Sequence, residues 1–280
     1  MRLFLLSGLL IASTSSIVPT TCFPKNNLDK EDCLYCEDMA MTEAQFNSVL
    51  AQVQSIYAPI VKSQGATLNI QGDWNDSTVN AYANKTGNVW NVQMFGGLAR
   101  RSETTLDGFA LVVCHELGHH LAGYPFYSGS SMASEGQSDY FSTQACAKKI
   151  WANSAQSVPA PNGYKSWCAS RGGDVNLCLR TLLAGESLAR LLAKLNGEKK
   201  PQYNTPDKST VSKTYEAHPA GQARLDTYLA GHMCDKVFPT DYIPGLASDG
   251  LGYNTKQTER SSLVVTCKNR PQSWFKPLTY

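Results

Sequence analysis

A chain of 280 residues, 42% of them hydrophobic and 17% charged, has ample material for a core. Its net charge of +2 and its lack of any basic block argue against a nucleic-acid or anionic-membrane surface built on electrostatics. Beyond the first 20 or so residues the length suits one large domain.

The chain starts with Arg2, an apolar run from Leu3 to Ala12, and the small polar residues Ser13 to Ser16. That order reads as a secretory signal, expected over 1–21. Even extended to Val18, the run is shorter than the roughly 20 apolar residues a membrane span needs, so no span is expected after cleavage. A lipidated Cys22 is disfavoured, because Pro19-Thr20-Thr21 has no Leu three places before it. Export and nine cysteines together point to a disulfide framework and a secreted or periplasmic location. Up to four bridges are expected. Cys168 and Cys178 form a plausible local pair across Gly172-Gly173, and Cys114, inside an apolar helical segment, is the cysteine expected to stay free. Cys33 and Cys36 form a C-x-x-C pair that fits either two structural bridges or a redox or metal motif; without a second such pair, structural bridges are favoured.

Helical spacing over Thr42 to Ser63 places Phe46, Val49, Leu50, Val53, Ile56 and Tyr57 on one side, and Thr42 with Gln45 reads as a capping box. Thr67 to Ile70, Thr78 to Tyr82 and Val89 to Met94 read as short strands between turn residues. Further helices are expected over Glu103 to Ala122, stopped by Gly123; over Ser134 to Trp151; and over Asp174 to Asn196, closed by Gly197. After a polar loop from Lys199 to Lys213, Pro219 should open a last helix in its first turn, ending near Gly231. The remaining segment, rich in proline, is expected to be mostly irregular. The fold class is α+β, mainly helical, with a small sheet.

Three of the five histidines fall in Cys114-His115-Glu116-Leu117-Gly118-His119-His120. Residues four apart on a helix project to one side, so His115 and His119 can hold one tetrahedral zinc. Glu116 is poorly placed as a ligand but can act as a general base on a water held there. A buried helix that merely tolerates two histidines is the plain alternative, and it would leave polar nitrogens without partners. His120 lies off the metal face and has the better claim to a structural role. Glu135, opening the next helix, can supply a third ligand. Asp139, one turn on, can accept the N–H of a ligating histidine and fix its tautomer.

Glu135-Gly136-Gln137-Ser138-Asp139 resembles the E-x-x-[AS]-D element of the gluzincin zinc metallopeptidases of the HtpX, Oma-type and CAAX prenyl endopeptidase group. Val79-Asn80-Ala81-Tyr82-Ala83 is similar to that family's N-A-x-x strand, and His218-Pro219 followed by Arg224 is similar to its H-P...R element. The resemblance covers about 42–231, and it implies a zincin-like domain over 22–280 with a disulfide-linked tail over 232–280. It also implies one zinc per chain on His115, His119 and Glu135, with Asp139 and Arg224 in support. His218 would stabilise the oxyanion, although the residue also serves as a plain helix-entry position. The strand around Asn80 to Met94, lying before the zinc helix, would as an edge strand pair with a peptide or protein substrate in extended form, with Asn80 and Ala81 as binding residues. The family members named are membrane-bound and this chain is cysteine-rich, so their substrates do not carry over. The expected function is a zinc metalloendopeptidase; a non-catalytic binding module on the same scaffold and a zinc amidase are the alternatives.

Overall fold

The computed structural model describes residues 20–24, 41–152 and 158–278. Most of the expected signal sequence, and the Cys33 and Cys36 pair, lie outside the described residues. Helix α1 (Glu43–Ser63) starts at the expected capping box, with the Thr42 side chain accepting from the Gln45 N–H and the Gln45 side chain accepting from the Thr42 N–H. It buries Phe46, Val49, Leu50, Val53, Tyr57 and Val61.

Next to α1 lies a four-stranded sheet of order β1-β3-β4-β2, made of β1 (Thr20–Thr21), β2 (Thr67–Asp73), β3 (Ala81–Thr86) and β4 (Val89–Phe95). β4 runs parallel to β2 and antiparallel to β3, and it turns Trp90, Val92 and Met94 inward. β3 lies later in the chain than the Thr78 to Tyr82 alternation suggests. The carbonyls of Asp76 and Thr78 accept from Gly97 and Leu98 of the short helix α2 (Gly96–Ala99). The hairpin is pinned further along, where Gly87 at φ 60° and Asn88 join Thr86 to its partner Val89.

Helix α3 (Leu106–Leu121) is the centre of the molecule. Thr105, rather than Glu103, opens it by accepting from the Gly108 N–H. Every residue from Gly108 to Leu121 is buried, the mark of a helix enclosed on all sides. The sheet, α1, α4 (Glu135–Phe141) and α7 (Val175–Asn196) surround it. Gly123, at φ +73°, turns the chain away beneath Pro244. At Gly118 a Cβ atom would sit 2.9 Å from Ser138 Cα, so α3 and α4 approach closely only because a glycine stands there. That contact lays the Glu135 and Asp139 positions against the two histidines.

The expected helix from Ser134 to Trp151 is three consecutive pieces: α4, a π turn (Ser142–Cys146) and α5 (Ala147–Ile150). The π turn packs on α3, and Cys146 is bonded there to Cys114. The expectation of a free Cys114 is therefore wrong: a helix buried on every face has a neighbour on the cysteine's side too. Cys168 is bonded to Cys178, as the sequence suggested, and Cys234 to Cys267. Among the described residues Cys22 is the free cysteine, and it is buried. The Cys168–Cys178 bridge sits in a smaller core with Leu179, Leu182, Leu225 and Leu229, between α6 (Tyr164–Ala169), α7 and α8 (Gly221–Met233).

Helix α7 is capped by Asp174 and closed by Gly197 in the left-handed conformation. No element forms over Lys199 to Lys213. Pro219 precedes the Ala220 cap of α8 instead of lying in its first turn, and α8 extends past Gly231. The tail is irregular except for α9 (Lys256–Ser262). The protein is thus mixed α+β and mainly helical. Among the described residues no helix is long and apolar enough to cross a membrane.

Candidate metal centre

Helical periodicity places His115 and His119 on the same side of α3, with ring centroids 4.8 Å apart. Each imidazole is oriented through Nδ1. His119 Nδ1 donates to the Ala133 carbonyl at 2.8 Å, with Ser138 Oγ at 3.1 Å from the same nitrogen. Since a carbonyl only accepts, this bond leaves a lone pair on His119 Nε2. His115 Nδ1 faces Asp139 Oδ1 at 2.8 Å. Asp139 is clamped in turn by Arg224, with Nε on Oδ2 at 2.7 Å and Nη2 on Oδ1 at 2.6 Å. Arg224 Nη2 also lies 3.3 Å from His115 Nδ1.

Glu135, the first residue of α4, brings a carboxylate to the two free nitrogens. Oε2 lies 3.2 Å from His115 Nε2 and Oε1 lies 3.7 Å from His119 Nε2. His218 Nε2 lies 3.6 Å from Oε1, and Tyr127 donates its hydroxyl proton to that same oxygen. The Tyr127 ring also stacks on His119. One ligand atom from each of His115, His119 and Glu135 falls within 4.8 Å of the others, a buried cluster that could hold a metal ion. His115 Nε2, His119 Nε2 and Glu135 Oε2 are all buried without a hydrogen-bond partner. Leaving one such group unsatisfied costs about 1–3 kcal/mol, so three converging on one point is a costly arrangement that a cation would relieve. The residues present fit a divalent metal that takes nitrogen and oxygen ligands.

The charges at His119 and Glu135 agree with that fit. Burial drops His119 to about 4, which keeps its ring neutral. Burial works to lower His115 as well, but the Asp139 and Glu135 carboxylates together outweigh it and lift the ring to about 9, so the metal-free ring holds a proton that a cation would displace. Burial tends to raise Glu135, yet His119 and His115 pull it below the usual carboxylate range. Glu116 is fully buried, both its oxygens lack partners, and burial pushes it up to about 8. A cation beside it would bring that value down.

Arg224 therefore supports the site through Asp139. His218 stands at the rim, partly exposed, with Nε2 donating to the Thr21 carbonyl at 2.6 Å. Asn80 and Ala81 lie at the start of β3 and contact the segment from Thr20 to Pro24. The Asn80 side chain bonds both backbone groups of Phe23, and the Ala81 carbonyl accepts from the Cys22 N–H. Tyr127, the Ala133 carbonyl, Ser138 and Cys22 also border the site, and sequence reasoning did not single them out. Only Ser138, within the Glu135 to Asp139 motif, carried a signal that could have found it.

His120 faces away from the cluster, donating through Nε2 to the Asn91 carbonyl at 3.0 Å and stacking on Trp90. Burial, with Lys85 adding to it, lowers His120 from 6.5 to about 3. The unfolded chain therefore takes up this proton below about pH 6.5 and the folded chain does not, so stability is lost as pH falls from there. One such group contributes at most about 1.4 kcal/mol per pH unit. Unfolding midpoints of metal-free protein between pH 7.5 and 5.5 should fall less steeply in His120→Gln than in wild type, and equal slopes would contradict this assignment.

Comparison with known proteins finds no match: no family model, curated protein or solved structure aligns with the chain. Fold and geometry together define a mixed α+β protein with a buried three-residue cluster that could hold a metal ion.

Proposed function

We propose that the chain is an exported, zincin-like zinc metalloendopeptidase in which Glu116 is the general base. One observation carries the reading: two tautomer-fixed imidazoles present free Nε2 atoms to a buried carboxylate, beside a second buried carboxylate that has no partner. Zinc held there by His115, His119 and Glu135, one per chain, would supply Lewis-acid activation of water and of the scissile carbonyl.

The chain's own residues account for the remaining chemistry. Glu116 takes a proton from the attacking water and returns it to the leaving amine. His218, which bonds a main-chain carbonyl at the rim of the cluster, is placed to donate to the carbonyl oxygen as negative charge builds on it. Arg224 and Asp139 hold His115 in one tautomer. β3 is not an edge strand, since β1 covers it; with Thr20–Pro24 displaced, β3 and the Asn80 amide would offer backbone-like partners to an extended peptide. The resemblance of Glu135 to Asp139, and of His218, Pro219 and Arg224, to gluzincin elements supports the same reading. Three disulfides among the described residues support an oxidising compartment.

A peptide library incubated with zinc-loaded protein tests the proposal, using both wild type and a variant that lacks the buried Cys22 thiol. Cleavage at internal peptide bonds, stopped by a chelator and restored by zinc, is the expected result. Metal-loaded protein that cleaves nothing in either form would overturn it. Turnover confined to small amides would replace it with a zinc amidase.

A further inference from the structure

The segment from Thr20 to Pro24 lies in the place that the proposed function gives to a substrate. Thr20 and Thr21 pair antiparallel with Ala83 and Tyr82 on the edge of β3. The ladder is continued by the Cys22 N–H to the Ala81 carbonyl at 3.1 Å, and by the Asn80 side-chain amide, which meets Phe23 N at 3.0 Å and Phe23 O at 2.9 Å. His218 donates to the Thr21 carbonyl and Arg224 Nη1 donates to the Cys22 carbonyl at 2.7 Å. Cys22 and Phe23 are fully buried. Each group assigned above to an extended peptide is thus occupied by the chain itself.

The Cys22 side chain points inward from this strand. Its Sγ, a ring nitrogen of His115 and a carboxylate oxygen of Glu116 lie within 4.8 Å of one another, and Arg224 Nη2 is 3.7 Å from the sulfur. A buried free cysteine usually behaves as a small apolar core residue. Here its neighbours include a guanidinium, an imidazole and the partnerless Glu116 carboxylate. Burial holds the Cys22 thiol well above its ordinary range and Arg224 offsets this only in part, so the sulfur keeps its proton until a metal displaces it.

We propose that Thr20–Pro24 is a built-in occupant of the cleft, and that Cys22 is an additional ligand to the bound metal, on the Glu116 side. The inference rests on the metal-centre reading above. In the ligation step the S–H bond breaks, its proton passes to Glu116 or to solvent, and the thiolate sulfur bonds the metal in place of water. No electrons change hands. The step reverses when the thiol is reprotonated and the strand withdraws. Substrate then needs the segment to leave β3, and Glu116 is without its water until it does.

The test uses the chain as recovered from an exporting host, with its N-terminus determined, loaded with cobalt(II) in place of zinc. Wild type should show sulfur-to-cobalt charge-transfer absorption that is lost in both Cys22→Ala and Cys22→Ser, with one metal per chain in all three. The metal should also protect Cys22 from alkylation. If ligation by Cys22 keeps the latch shut, Cys22→Ala should exceed wild type in peptide cleavage by roughly tenfold or more. Metal bound without a sulfur band, with equal alkylation and equal activity, would overturn the latch and leave the metal centre standing. The latch requires export cleavage before Thr20, upstream of the boundary expected at 21, so a mature N-terminus at Cys22 or later would overturn it as well. Absence of metal uptake by every variant would overturn both proposals.

Discussion

Glu116→Gln should lower peptide cleavage by about a hundred- to ten-thousand-fold, the usual worth of a positioned general base, while the metal stays bound. Glu116 is one residue from His115 on α3 and is not part of the three-ligand cluster, so its replacement removes no ligand. Its carboxylate is fully buried, and both oxygens lack partners. With Glu116 pushed up to about 8, the metal-free site already holds a neutral acid, and an amide of the same shape brings no added charge to desolvate. The metal-free variant should therefore unfold at a temperature no lower than wild type. Elemental analysis, thermal unfolding and cleavage rates on a single preparation separate the effects. Near-normal turnover in Glu116→Gln would remove the residue from the chemistry. Loss of metal together with activity would make it a ligand instead.

Arg224→Met should destabilise the fold by about 3–5 kcal/mol and weaken metal binding about ten- to a hundredfold. Arg224 is 1% exposed and makes two charge-assisted bonds to Asp139, itself fully buried. Truncating it leaves Asp139 buried with His115 as its remaining charged partner, near Glu135 and Glu116. Denaturant unfolding gives the loss directly. The double variant Arg224→Met with Asp139→Asn should recover a large part of it, because the cost lies in the stranded charge rather than in the lost contact. A single-variant loss below about 1 kcal/mol would mean that water reaches Asp139 and that the pair acts as a surface salt bridge.

Local periodicity made much of this legible in the sequence. The four-residue step from His115 to His119, and that from Glu135 to Asp139, are each fixed within one helix, so the side on which these groups project could be read without knowing the fold. The Thr42 capping box and Gly197 were legible for the same reason: their hydrogen bonds close within a few residues. What could not be read depends on packing between distant segments. Cys114 bonds Cys146 because a π turn lies against α3, and nothing near Cys114 announces that. Cys22 meets His115 and Glu116 only through strand pairing with a segment some 60 residues away. β3 starts at Ala81 because carbonyls upstream of it serve α2, a competition that the alternation of side chains does not show. Tyr127 reaches Glu135 from an irregular segment with no period to betray it.

If the convergence of His115, His119 and Glu135 is a metal site, the purified protein holds an ion there. Elemental analysis of protein purified without chelator, repeated on His115→Ala and His119→Ala, tests it most directly. The wild type should carry one zinc per chain, and both variants should lose it. A well-folded wild type that holds no zinc, and takes none up when zinc is supplied, would contradict it.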